Sequence, residues 1–415
     1  MSAVSASVPV SAGAGARPED AALLLRDQGI PFLRHALEPA LALDHLVERF
    51  PAEAAVPWHP RLYYLRYKPG LSLTAGVAVD GPEPVLMLAA VSVQQRPKVA
   101  KLLDRQQVGL GGWGAVADQS LGLVVATAAS DRVLPGVAVV GGLRGSVVGV
   151  DPRTVRPIRY KPHRRWLATA EWRGQPGLVR VTSPRAARAY APTYEHLCRT
   201  GLVTSLASHP RLGVTVNAWI DGEPLDGPRS DPAYAEGLGH ALERLHATAL
   251  GPLRTRPDHA RDLRAAALAV AEICPRLAGA AQRLSEAVTD RLPTSGRLVL
   301  SHGDLSSDQA VVDRQGEVHL IDFDRACADH PAFDLGSWAA DTLVRDPGLE
   351  ADPLDVLAPL LRGYGGEVPG PQDLVACTAA GLVRRLAEPF RGHHPDWAGE
   401  VARRLVLARS VLDAR

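Results

Sequence analysis

Within Leu298–Asp324, LVLSHGDLSSDQAVVDRQGEVHLIDFD, polar groups recur at the ends of short apolar runs. Leu298–Leu300 leads into Ser301-His302-Gly303-Asp304, and Ala310–Val312 follows Gln309. Val318–Ile321 then ends at Asp322-Phe323-Asp324. Apolar runs bounded by turn residues predict short strands, here a hairpin with acidic groups at its ends. Asp304 and Asp322 are thus expected close together, on one edge of a small sheet. A pair of carboxylates on rigid strand ends suits two tasks. One can hold a hard, oxygen-seeking cation such as Mg²⁺ that bridges phosphates. The other can orient an attacking hydroxyl and take its proton.

The order His302-x-Asp304, then Gln309, then Asp322-Phe323-Asp324 resembles the catalytic and metal-binding loops of the aminoglycoside phosphotransferase family. That resemblance implies a protein-kinase-like bilobal α+β fold. It implies Asp304 as catalytic base, His302 as a residue orienting the loop, and Asp322 and Gln309 as Mg²⁺ ligands. Asp324 is either a further metal ligand or a brace. Most of the family has Asn where this chain has Gln309; maltokinase-like and glucosamine-kinase-like members also carry Gln. The expected reaction moves the γ-phosphate of ATP, or GTP, to a hydroxyl of a small molecule, a sugar or aminoglycoside-like compound. The alternatives are a hydroxyl on a peptide or natural product, or a pseudokinase that binds without transferring.

These loops need a β-rich lobe above them. Arg66-Tyr67-Lys68-Pro69 recurs as Arg159-Tyr160-Lys161-Pro162, and the strand-like runs after each copy have the same character. Self-similarity at one offset predicts one unit used twice. The second copy feeds the catalytic part, so residues 151–222 are expected to be the nucleotide-binding lobe and 223–415 the helical lobe. Residues 21–150 are expected to form a non-catalytic cap, and 1–20 a disordered tail. Strands are predicted over Ile158–Thr169, Ala170–Arg173, Gly177–Val181 and Leu212–Ile220, with an apolar strand also at Val137–Val140.

Kinases of this fold place a Lys on the third strand, paired with a helical Glu. Here the positions hold Arg180 and Glu195, and Lys161 in the preceding turn competes for the phosphates. Arg binds carboxylate or phosphate in a planar fork and is not a neutral exchange for Lys. The loop 161–165 is strongly basic and has no glycines. The first copy aligns Met87 with Arg180 and Leu102 with Glu195, which removes the phosphate-holding pair. Backbone groups near Ala218–Ile220 are expected to meet an adenine edge. Asp334 is expected to brace the catalytic loop, and His246 to pack at a helix end. Gly109–Gly114 reads as a loop, and Arg391–Asp396, with two histidines, as a solvated loop rather than a metal site.

The chain has 415 residues, 46% of them hydrophobic, and a formal net charge of +1. That excludes broad electrostatic attraction to nucleic acid or membrane. No apolar run approaches the roughly 20 residues of a membrane span, and the N-terminus lacks a signal-peptide pattern. Four scattered cysteines without a CxxC pair predict reduced thiols in a cytoplasmic protein.

Overall fold

The computed structural model describes residues 17–46, 59–80, 85–103, 114–142, 145–225, 232–253 and 256–414. Of the tail expected over 1–20, residues 1–16 lie outside the described residues, as does most of the glycine-rich 109–114 loop; Pro18–Asp20 are instead helical, Pro18 presetting the first helical turn.

The chain opens with α1 (Pro18–Arg26), α2 (Leu33–Leu37) and α3 (Pro39–Leu46). Next come β1 (Arg61–Lys68), β2 (Ser72–Ala78), β3 (Val85–Val91), α4 (Arg96–Leu103), β4 (Ala115–Asp118) and β5 (Leu123–Thr127). The helix α5 (Gly136–Gly141) leads to β6 (Arg156–Lys161), β7 (Arg165–Trp172), β8 (Gln175–Thr182), α6 (Pro184–Arg199), β9 (Ser205–His209) and β10 (Val214–Ala218). The two sheets have the same antiparallel order, β1-β2-β3-β5-β4 and β6-β7-β8-β10-β9. A helix sits between the third and fourth strands of each, so the repeat read from the sequence is a repeat of topology.

Register corrects the alignment of the copies. Tyr67 pairs with Leu73 and Leu73 with Ala90; Tyr160 pairs with Trp166 and Trp166 with Val181. Arg180 is therefore matched by Ala89, not Met87, because the second and third strands are joined by turns of different length. The side chain of Leu102 lies outside the described set.

Two strand expectations also change. Val137–Val140 is helical, within α5. A short apolar run carries no decisive period, and Pro135 before it presets a helical φ and withholds a ladder donor. The run Ile158–Thr169 is two strands, broken where Pro162 precedes His163 at φ 60°.

The rest is mainly helical: α7 (Pro232–Ala247), α8 (His259–Ile273), α9 (Ala278–Thr289), α10 (Ala332–Arg345), α11 (Pro353–Gly363), α12 (Pro371–Arg384), α13 (Glu388–Arg391) and α14 (Trp397–Asp413). Small strands lie among them: β11 (Gly222–Pro224), β12 (Val299–Ser301), β13 (Ala310–Asp313), β14 (Val318–Leu320) and β15 (Cys327–Asp329). β13 and β14 form the expected hairpin, with β11 on its edge. β12 does not join it. The turn after Asp322 carries the chain back so that β15 pairs with β12 instead.

Three apolar clusters hold these layers. Leu33, Leu73 and Leu88 of the first copy pack with Val270, Leu284, Val383 and Val401 of the helical lobe. The opposite face of the first sheet, Met87, Ala89 and Val124, packs against Trp166, Val179 and Val216 of the second. Leu242, Phe323, Leu335 and Leu360 form the third, in the helical lobe. The face that the second copy turns toward a cleft is thus covered in the first. No helix among the described residues is long and apolar enough to cross a membrane.

Candidate active site

The loop after β12 is held from below by one buried carboxylate. Asp334, in the first turn of α10 and fully buried, accepts the His302 N–H at 2.7 Å and the Gly303 N–H at 2.8 Å. His246 at the end of α7 lies 3.0 Å away through Nε2, and its Nδ1 is 2.8 Å from the Tyr364 hydroxyl. Those partners assign the tautomer: Tyr364 donates to Nδ1 and Nε2–H donates to Asp334. Burial works against ionisation of Asp334, but the His246 hydrogen bond and the loop donors keep its pKa below the ordinary value. The brace expected of Asp334 is present in this geometry. A second brace, Asp341, accepts the Ser307 N–H and hydroxyl at 3.0 and 2.8 Å.

Asp304 projects from this fixed backbone with 46% of its side chain exposed, facing Arg325 Nε at 3.4 Å. His302 is buried, and its Nε2 donates to the Ile321 carbonyl at 2.8 Å. That bond ties the Asp304 loop to the residue before Asp322. The two loops approach as expected, although they belong to different small sheets.

Asp322 has φ 63°, a left-handed conformation uncommon for a residue with a side chain. Strain of this kind persists where its surroundings over-determine it. Here two arginines do so. Arg180 Nη1 donates to Asp322 at 2.8 Å, and Arg165 Nη1 donates to its other oxygen. Arg180 also meets Asp324, and Arg165 lies 3.8 Å from it. Burial would raise the Asp322 pKa, but the two guanidiniums hold it well below the usual carboxylate range. Gln309 is buried, and its Oε1 has no hydrogen-bond partner. Its backbone carbonyl accepts the Ile321 N–H at 2.8 Å, which seats it beside the same strand end. Two carboxylates and an unengaged amide oxygen are an oxygen-only donor set of the kind a hard divalent cation takes. Among the described residues, no group of three His, Cys, Asp or Glu side chains gathers as a metal site; here the third donor would be the amide.

The expected Arg180–Glu195 pair is not formed. Glu195 is exposed on α6. The inward face of that helix carries Tyr190, which donates to the Phe323 carbonyl at 2.7 Å, and Tyr194, which donates to the Ser205 hydroxyl at 2.8 Å. Glu195 is one residue, or about 100°, off that face. Arg180 turns to Asp322 and Asp324 instead.

Lys161 ends β6, half-buried. Burial and the neighbouring Arg159 and Arg165 cations lower its pKa to about 8, against the pull of Asp322 and Asp308. The turn it starts is pinned from outside the second sheet. Asp131, buried ahead of α5, accepts the His163 N–H at 2.7 Å and the Tyr160 hydroxyl at 2.9 Å. Its other oxygen lies 3.0 Å from His163 Nδ1. At the hinge, the Ala218 and Trp219 N–H groups are already engaged, by the Thr204 and Pro176 carbonyls at 2.8 and 3.2 Å. One continuous cleft of about 2940 Å³ is lined by Arg165, Arg180, Gln309, Asp322, Ala218 and Ile220. Ligand pockets run to roughly 300–1,000 Å³, so this cleft has room for a nucleotide and more.

Most of the loop 391–396 is exposed, as expected, but His393 is not. His393 is half-buried and its Nε2 lies 3.0 Å from Asp20 of α1, which also accepts from Trp397 Nε1 at 3.1 Å. The residues that the sequence did not single out are Tyr190 and Asp131; Arg165 was read only as one of the cations of the basic loop 161–165. Asp131 had a signal: Asp27-Gln28-Gly29-Ile30-Pro31 recurs as Asp131-Arg132-Val133-Leu134-Pro135.

Two stacked β-rich units over a helical lobe, with an acidic loop pair facing a basic turn, define a kinase-like fold. Residues 152–374 match the phosphotransferase enzyme family (APH). The chain belongs to that family and is a small-molecule phosphotransferase acting on hydroxyl groups. Its backbone is similar to the choline kinase LicA from Streptococcus pneumoniae, with TM-score 0.49, 15% identity, and coverage of 64% of this chain and 96% of that one. It is also similar to a Plasmodium vivax ethanolamine kinase (TM-score 0.48, 13% identity, 66% and 87% covered). A third is the macrolide 2′-phosphotransferase MphH from Brachybacterium faecium (TM-score 0.42, 20% identity, 65% and 96% covered). No curated protein sequence matches the chain.

Proposed function

We propose that the protein transfers the γ-phosphoryl group of ATP or GTP to a hydroxyl of a sugar or aminoglycoside-like compound, in the cleft between residues 151–222 and 223–415. The observation that carries this reading is a half-exposed Asp304 on a loop whose backbone is fixed by Asp334 and tied through His302 to the strand end before Asp322. Asp304 accepts the hydrogen bond of the acceptor hydroxyl and takes its proton as the oxygen attacks. His302 keeps that loop in register with Asp322. Asp322, Gln309 and Asp324 are the residues that would hold Mg²⁺, which when bound neutralises charge on the β- and γ-phosphates. Arg165, Arg180 and Lys161 supply the cationic wall for the phosphates, with Arg165 and Arg180 exchanging carboxylate for phosphate oxygens. Ile220 and the carbonyls around Ala218 offer the adenine edge its hydrogen bonds. Glu195, exposed and turned away, has no part in this scheme.

The test is acceptor-stimulated turnover of Mg·ATP and Mg·GTP over a panel of sugars, aminoglycosides and hydroxylated peptides, with Asp304→Asn alongside. The variant is expected to lose transfer by about 10²–10⁴-fold while binding nucleotide like wild type. Nucleotide binding without turnover on any acceptor, identical in the two proteins, would identify a binding protein instead.

A further inference from the structure

Asp131 stands outside the residues that match the family, yet it grips the turn that carries Lys161 and leads into Arg165. The grip has a twin. In the first copy, Asp27 Oδ2 accepts the Tyr67 hydroxyl at 2.7 Å and the Gly70 N–H at 2.8 Å. In the second, Asp131 Oδ2 accepts the Tyr160 hydroxyl and the His163 N–H. Each Oδ1 also caps its own turn, accepting from Gly29 at 3.0 Å or Val133 at 2.9 Å. Both gripped turn residues are left-handed, Gly70 at φ 65° and His163 at φ 60°. The repeated unit therefore begins at an aspartate ahead of the first strand, and the second copy starts at Asp131 rather than at 151.

The two turns differ in what they present. Both start from a lysine, Lys68 or Lys161, but the first leads into Ser72 and the second into Arg165, which reaches Asp322. Kinase-like lobes that use a glycine-rich turn approach phosphates with backbone. This turn has none of those glycines and must bring side chains. A cationic side chain holds an anion only as firmly as its own backbone is held.

We propose that Asp131 is a positioning residue for nucleotide phosphates: it locks the turn Tyr160–Arg165 so that Lys161 and Arg165 face the γ-phosphate. This rests on the phosphotransferase reading above. The carboxylate touches no reacting atom; it acts through the His163 N–H and the Tyr160 hydroxyl. The twin supplies the control, because Asp27→Asn removes the same interaction at a turn whose gripped residues, Tyr67 and Gly70, do not line the cleft.

The full chain would be titrated with Mg·ATP and, separately, with adenosine, and its thermal midpoint measured. Asp131→Asn is expected to weaken Mg·ATP binding about ten-fold or more and to leave adenosine binding unchanged. Asp27→Asn is expected to lower the thermal midpoint comparably and leave both ligands unchanged. Equal weakening of Mg·ATP and adenosine by Asp131→Asn would mean general loosening of the lobe and would overturn the proposal, as would unchanged Mg·ATP binding. If Asp131→Asn does not fold, Tyr160→Phe removes one of the two bonds and is expected to weaken Mg·ATP alone by a few-fold; no effect there also overturns it. Failure of wild type to bind Mg·ATP and Mg·GTP would remove the phosphotransferase reading itself.

Discussion

A carboxylate buried against several donors stabilises the fold only while it keeps them all. Asp334 serves His302, Gly303 and His246 at once. Asn in its place turns an NH₂ group toward one of those donors, and a buried group left unpaired costs about 1–3 kcal/mol. Asp334→Asn is therefore expected to lower the thermal midpoint and to reduce turnover by loosening Asp304, both measurable in the purified variant. Its folded pKa is depressed, so the unfolded chain holds the proton more tightly. The stabilisation is complete above the ordinary carboxylate range, near pH 4, and is lost as pH falls below it. Acid titration of stability should be shallower in the variant. Lys161 titrates in the opposite part of the scale. With its pKa lowered to about 8, it is charged at pH 7 and largely neutral at pH 9. Bound phosphate favours the charged form, so affinity for ATP should fall as pH rises through that window, and Lys161→Met should flatten the profile. Most of this chemistry was legible as residue types in order, since HGD, Gln309 and IDFD lie within one short stretch. The two arginines on Asp322 were not legible as a pair. They come from separate strands, and only the register of β7 with β8 sets Leu167 opposite Arg180 and so brings Arg165 near it.

Elements aim those residues, and small errors of phase at this level move a side chain out of a site. Glu195 does lie on a helix, α6, but the inward face of that helix is Tyr190 and Tyr194, and the neighbouring Glu195 is exposed. A helix is visible in sequence before its rotation is, because the rotation is fixed by what it packs on. The same holds for β12, whose partner, β15, lies beyond the β13–β14 hairpin. The α7 helix shows how closely an element can be tied to its duty. Gly239 on α7 lies against the Leu360 carbonyl, and Gly363 at the end of α11 lies against the Glu236 carbonyl. A Cβ at either place collides with backbone, so the helices would have to separate. Gly239→Ala is expected to destabilise by about 1–3 kcal/mol. It should also shift His246, seven residues on, away from Asp334. Denaturant unfolding and turnover, measured together, check both effects.

At the scale of the whole chain, the duplicated unit was readable because Arg-Tyr-Lys-Pro occurs twice; what the first copy does was not. Its sheet is apolar on both faces, one lying on the helical lobe and the other on the second sheet. Removing residues 1–130 would bare both surfaces, and the remaining chain is expected to be insoluble or to unfold. Soluble expression with retained nucleotide binding would contradict that. The N-lobe is consequently joined to the C-lobe along two routes: directly through the strand leading to Gly222, and indirectly through the first copy, which rests on α8, α9, α12 and α14. Two arms joined by one pivot swing freely; two arms joined at a pivot and also by a strut make a frame. In such a frame the cleft admits its ligands by sliding along packed faces or by bending the strut, and the wide rocking of a single hinge is closed to it.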